Sequence, residues 1–173
     1  GTYDEKFGTL VIKGEDFEGS FPDTWSLSGT PTWGVQSYKK YQGSYAGYCV
    51  GSTVSPPGPY PNAVDARMRY GPFSLADAVD ARITMKAWIN TEARFDFFSV
   101  YASTNGSNFY GTGWTGNWTN INPAGGGWMN VSFDLTRVYI LGDLRGQPSV
   151  WFMLRFFSDS SIVYEGVYID DVV

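Results

Sequence analysis

From residue 81 the chain alternates apolar and polar positions with a period of two. Ile83, Met85, Ala87 and Ile89 share one row, and Arg82, Thr84, Lys86, Trp88 and Asn90 share the other. This is the signature of a strand with one face in a core. Ser149 to Phe157 repeats it, with Val150, Phe152, Leu154 and Phe156 against Trp151, Met153, Arg155 and Phe157. Trp128 to Leu135 turns Met129, Val131, Phe133 and Leu135 one way. Phe95 to Ala102 is aromatic on both rows, Phe98, Val100 and Ala102 against Phe97, Ser99 and Tyr101. Such a strand is either central or carries a binding surface.

Shorter runs and their punctuation fill the remaining length. Thr9 to Lys13 reads as a short strand or an extended linker, so residues 1–14 are taken as an amino-terminal extension and 15–173 as the domain. Trp25-Ser26-Leu27 and Trp33-Gly34-Val35 flank a Ser-Gly-Thr-Pro turn, and Tyr41 to Val50 reads as a Gly-marked entry into an aromatic strand. The proline-rich segment from Ser52 to Asn62 is expected as a long surface loop, because proline cannot donate to a strand ladder. Val64 to Tyr70 predicts a strand that Gly71-Pro72-Phe73 breaks. Thr104-Asn105-Gly106-Ser107 predicts a type I′ hairpin turn. About ten strands at short spacing, no helix and no repeat predict an all-β, two-sheet antiparallel sandwich.

The last stretch, Gly166 to Val173, is the most demanding. Strand parity places Val167, Ile169 and Asp171 on one face and Tyr168, Asp170 and Val172 on the other. A carboxylate on an apolar row is costly to bury unless a cation or a set of backbone N–H groups meets it. The alternative is that Asp171 emerges into solvent at the strand end.

Composition narrows the function. The 173 residues suit one domain, and 43% hydrophobic with 18% aromatic content excludes disorder. The net charge of −5, with no basic run beyond Lys39-Lys40, argues against nucleic acid and anionic membrane as partners. No apolar run is long enough for a spanning helix, and the amino terminus has no signal-peptide pattern, as in an excised or mature segment. The chain has no His and a single Cys. Histidine-based triads and His-ligated zinc are therefore excluded within it, and Cys49 reads as a small buried hydrophobe.

The order of several motifs resembles the MAM-like jelly-roll domains. These are Asp16-Phe17-Glu18, Trp33-Gly34, Gly43-Ser44-Tyr45, Gly71 to Leu75, Ser103 to Phe109, Trp128 before an alternating strand, Arg155-Phe156 with Ser158-Asp159, and Tyr168 to Val172. The nearest likeness is to jelly rolls appended to secreted bacterial and archaeal peptidases of the immune inhibitor A type; similar sandwiches serve as carbohydrate-binding modules. Asn105 and Phe109 stand where Asp and Trp are commoner, and the proline-rich loop has no counterpart. The resemblance implies a structural calcium ion, Ca2+, tying the first strand to the last. Glu18 and Asp171 would supply carboxylates and Gly43 or a neighbour a backbone carbonyl, with Asp16 and Asp170 as further candidates.

Two functions follow as expectations. The first is a non-catalytic, extracellular accessory domain of a multidomain peptidase, whose partner is the neighbouring domain of the same polypeptide. Its role would be domain packing or adhesion to a substrate or surface, with polysaccharide or an extracellular protein as a further partner. The second is a carbohydrate-binding module. Trp88, Tyr101, Trp114, Trp118 and Trp151 would then offer aromatic faces to sugar rings. A glycoside hydrolase would need two carboxylates facing a cleft. Asp170 and Asp171 point apart in a strand, and Glu92, Asp96, Asp134 and Glu165 show no recognisable spacing.

Overall fold

The computed structural model describes residues 2–4 and 9–173. Its strands are β1 (Thr2–Asp4), β2 (Thr9–Val11), β3 (Ser26–Ser28), β4 (Gly34–Gln36), β5 (Ala46–Tyr48), β6 (Asp65–Phe73), β7 (Arg82–Asn90), β8 (Phe97–Ser103), β9 (Tyr110–Trp114), β10 (Met129–Asp134), β11 (Val150–Phe157) and β12 (Gly166–Asp170). Ten of them build two five-stranded antiparallel sheets, in the orders β10-β7-β12-β5-β4 and β3-β6-β11-β8-β9. This is the expected all-β sandwich. Its helical content among the described residues is one 3-10 turn, Pro123–Gly125, and no helix is long and apolar enough to cross a membrane. β2 is the anticipated short strand and pairs with β1; positions 1 and 5–8 of the expected extension lie outside the described residues.

The alternating rows meet as predicted. Ile83, Met85, Ala87 and Ile89 of β7 are buried, as are Val150, Phe152, Leu154 and Phe156 of β11. Each large side chain so removed from water contributes roughly 2 to 3 kcal/mol of transfer free energy. Trp33, just before β4 of the first sheet, places its ring edge-on to Phe98 of β8 at 6.0 Å. Its indole N–H donates to the Ala66 carbonyl of β6 at 3.2 Å, so one side chain spans both sheets.

Several local expectations are corrected. β6 does not stop at Tyr70. Val150 pairs with Phe73 and Phe152 with Tyr70, so Gly71 and Pro72 together oppose Trp151 alone. The pair forms a β-bulge, one of the few places where a strand accepts proline. The Asn-Gly hairpin is present between β8 and β9, but as a wider loop. Gly106 has a positive φ and Asn105 does not, whereas a type I′ turn needs both. Ser103 Oγ instead accepts the Asn105 and Gly106 N–H groups, and Asn105 Oδ1 those of Ser107 and Asn108.

Strand β5 is only Ala46–Tyr48. Residues 41–45 form a loop whose N–H groups serve side chains instead. The turn after β3 carries the chain into the opposite sheet. The proline-rich segment is a loop, yet Tyr60 within it is fully buried.

The final strand is corrected in a way that matters for function. Asp170 pairs with Lys86, and Val173 exchanges hydrogen bonds with Thr84. Asp171 and Val172 thus lie opposite Met85 alone. Asp171, at φ 48°, is a left-handed bulge residue, and the extra residue inverts the parity beyond it. Val172 goes into the core and Asp171 leaves the apolar row.

Candidate functional site

The first site joins the two ends of the domain. Glu15 N–H donates to Val172 O at 2.7 Å and Val172 N–H to Glu15 O at 2.9 Å. The Glu15 carboxylate is itself satisfied, accepting the Trp25 indole N–H and the Phe17 N–H, each at 2.9 Å. Just beyond, Asp16 Oδ1 accepts the Glu18 N–H at 3.0 Å. Glu18 Oε1 accepts the N–H groups of Ser44 and Tyr45 at 2.8 and 2.9 Å.

Gly43 makes that approach possible. Its φ is 69°, and a Cβ there would stand 2.3 Å from Glu18 Oε1. Burial and the charges of Asp16 and Glu18 raise the Asp171 carboxyl above the ordinary range, while Lys86 opposes the shift. Asp16, Glu18, Gly43 and Asp171 are therefore neighbours around one junction. Asp170 is not a free carboxylate there: its Oδ2 accepts the Tyr41 and Gln42 N–H groups at 3.0 and 3.1 Å, and its Oδ1 that of Asp171 at 2.9 Å. Burial nevertheless pushes it up to about 6, against the pull of those three amides.

The aromatic candidates separate. Trp88 is on the outer row of β7 but only 8% exposed, with Lys39 Nζ 3.3 Å from its ring centroid and bridged to Glu165. Trp114 lies partly buried and stacked on core Phe98 at 5.9 Å. Trp118 is half-buried and donates its indole N–H to Thr115 O at 2.9 Å. Tyr101 and Trp151 fall together on the outer face of the second sheet, beside Met153, Arg69 and Arg155. There Gly111 and Gly113 stand opposite Tyr101 and Ser99, so the edge strand adds no side chain to that face.

A second acidic group is more compact. Glu92, Asp96 and Asp159 each bring one carboxylate oxygen within 4.8 Å of the others, an arrangement that could hold a metal ion. Glu92 and Asp96 come from the tight turn between β7 and β8, and Asp159 from the turn after β11. Asp96 accepts the Tyr60 hydroxyl at 2.6 Å and the Asp159 N–H at 2.8 Å. Burial raises the Glu92 and Asp96 carboxyls, and the neighbouring Asp159 raises them further. Sequence reasoning named Glu92 and Asp96 only as unspaced acids. The missed signal was parity, since Asp96 sits two residues before Phe98 and so on the core-facing row.

No known protein-family profile matches the chain. It is 28% identical over 165 residues to Bacillopeptidase F of Bacillus subtilis (strain 168), a match covering 92% of this chain and 10% of that protein. The chain thus spans about a tenth of the length of that curated relative. Among solved structures it shares its fold with the K1 cleaved adhesin domain of Lys-gingipain from Porphyromonas gingivalis W83. The TM-score is 0.58 at 15% identity, over 92% of this chain and 95% of that one. It also shares the fold of TmCBM61, solved in complex with beta-1,4-galactotriose, with a TM-score of 0.57 at 16% identity over 91% of each chain.

Proposed function

We propose that the chain is a non-catalytic accessory domain of an extracellular multidomain peptidase, with calcium bound at the junction of Asp16, Glu18, Gly43 and Asp171. The observation that carries the accessory role is the likeness to a tenth of Bacillopeptidase F over nearly all of this chain. A module matched to so small a fraction of a larger protein fits a role in packing against, or positioning, its neighbour. The calcium reading is supported by Glu18 being held by loop N–H groups beside two further carboxylates. Such a set supplies the hard oxygen donors that Ca2+ selects.

Deleting residues 15–173 from the parent polypeptide tests the role. The expected result is unchanged kcat/KM on a short chromogenic peptide, with a lower melting temperature or weaker retention on the natural substrate. Lost turnover of the short peptide, at unchanged folding of the remainder, would overturn it.

A second reading, carbohydrate binding, is favoured by one feature, the outer face bearing Tyr101 and Trp151 beside Arg69 and Arg155. Aromatic side chains on neighbouring strands suit a sugar chain lying across them. Affinity electrophoresis in soluble polysaccharides decides between them. Retardation lost in Tyr101→Ala and Trp151→Ala supports this reading, and unretarded wild-type protein removes it.

A further inference from the structure

Glu92 and Asp96 lie at the far end of the sandwich from the Glu18 junction. Gly166 of β12 pairs with Asn90, two residues before Glu92, whereas Asp170 pairs with Lys86 beside Asp171. Glu92 is 8% exposed and Asp96 0%, and the Glu92 Oε2 atom is buried without any hydrogen-bond partner. An acceptor-only oxygen hidden from water and left unmet is strongly unfavourable, and a second carboxylate beside it makes matters worse. Among the described residues no Lys or Arg forms an ion pair with Glu92, Asp96 or Asp159.

A cation would supply what these oxygens lack. Calcium takes oxygens at about 2.4 Å, so two ligands of one ion stand at most about 4.8 Å apart. All three carboxylates meet that limit. With neither His nor Cys in the cluster, the donor set suits a hard ion rather than zinc. Its donors come from separate loops, which fits calcium's tolerant geometry better than the rigid octahedron of magnesium.

We propose that Glu92, Asp96 and Asp159 bind a calcium-class divalent cation that fastens the β7–β8 turn to the turn after β11. Tyr60, whose hydroxyl donates to Asp96 and accepts the Glu92 N–H, brings the proline-rich loop into the same knot. The ion locks the pole of the domain remote from the chain-end junction. This assignment does not depend on calcium at Glu18 and Asp171.

Isothermal titration of calcium into the metal-stripped chain tests it, with folding checked by circular dichroism. In Glu18→Gln/Asp171→Asn, which leaves the cluster intact, one calcium should still bind; none would overturn the proposal. In Glu92→Gln/Asp159→Asn, one calcium should be lost, together with the calcium-dependent slowing of amide exchange around Tyr60. Unchanged stoichiometry and unchanged exchange would overturn it. If the wild type binds one ion, abolished by the second variant but not the first, the cluster stands and the Glu18 junction falls.

Discussion

Asp170 and Tyr41 are 129 positions apart, yet the Tyr41 N–H donates to Asp170 Oδ2 at 3.0 Å. The Gln42 N–H joins it, so one fully buried carboxylate fastens the 41–45 loop over the outer face of the first sheet. Asp170→Ala leaves these amides and that of Asp171 without an acceptor. A buried donor left unmet costs roughly 1 to 3 kcal/mol; these amides are only part-buried, so the variant should lose about 1 to 3 kcal/mol in all, and Asp170→Asn less. Urea unfolding measures the loss, and amide exchange at Tyr41 and Gln42 should accelerate in the same order.

Gly43→Ala places a methyl group where Glu18 Oε1 now sits and forces a side chain into left-handed backbone. The expected cost is about 1 to 2 kcal/mol. The stabilisation produced by added calcium should shrink with it, as binding to the folded state stabilises by mass action. Scanning calorimetry with and without EGTA reads both. A calcium shift as large as that of the wild type would separate Gly43 from the ion.

Asp65 accepts two hydrogen bonds from Arg155, at 2.8 and 2.9 Å, and two from Arg67. The Arg155 and then the Arg67 guanidinium hold its carboxyl well below the usual range. A depressed carboxyl contributes stability that is complete above its unfolded value, near pH ~4, and is lost as pH falls toward its folded value. Asp65→Asn should therefore be less stable than wild type at neutral pH, by no more than ~1 kcal/mol for a pair this exposed. The gap should close below about pH 4. Unfolding midpoints measured across that range check the sign.

Cys49 is fully buried, and burial drives its thiol far above the ordinary range. It should not react with a thiol reagent such as Ellman's reagent until the domain opens. Labelling kinetics should follow unfolding as denaturant is added. Rapid labelling in native buffer would contradict this packing.

Trp114 and Tyr101 should behave differently on truncation. Trp114 stacks on Phe98 in the core, so Trp114→Ala should cost about 2 to 3 kcal/mol whatever the ligand. Tyr101 stands half-exposed on the outer face, and Tyr101→Ala should change stability by less than about 1 kcal/mol. Thermal melts of the two variants beside affinity electrophoresis separate packing from binding.

The strands of the core were legible because their neighbours are apolar on both sides of the sandwich, which leaves the two-residue period of β7 and β11 undisturbed. What parity alone misplaced lies at bulges. At Gly71-Pro72 and again at Asp171-Val172 an inserted residue reverses which face follows. A bulge is fixed by the partner strand, which sequence order does not reveal. The same holds for Glu92, Asp96 and Asp159, since the last two are 63 positions apart and meet only through sheet order. Glu18 lies in the short motif Asp16-Phe17-Glu18, and its part as a ligand is what the resemblance implies.

The Glu15 and Val172 pair also decides how the domain answers to tension. The two residues are antiparallel neighbours, so segments leaving before Glu15 and after Val172 depart from the same end of the pair. Once a pull has freed Val173 from Thr84, it would open the pair's hydrogen bonds one after the other, as a zipper opens, instead of shearing them together. Asp16 and Glu18 follow Glu15 and Asp171 precedes Val172, so their carboxylates stand behind that pair. An ion held there would act as a second catch, met once the pair has opened, and would keep the ten strands behind it unstrained until it gives way.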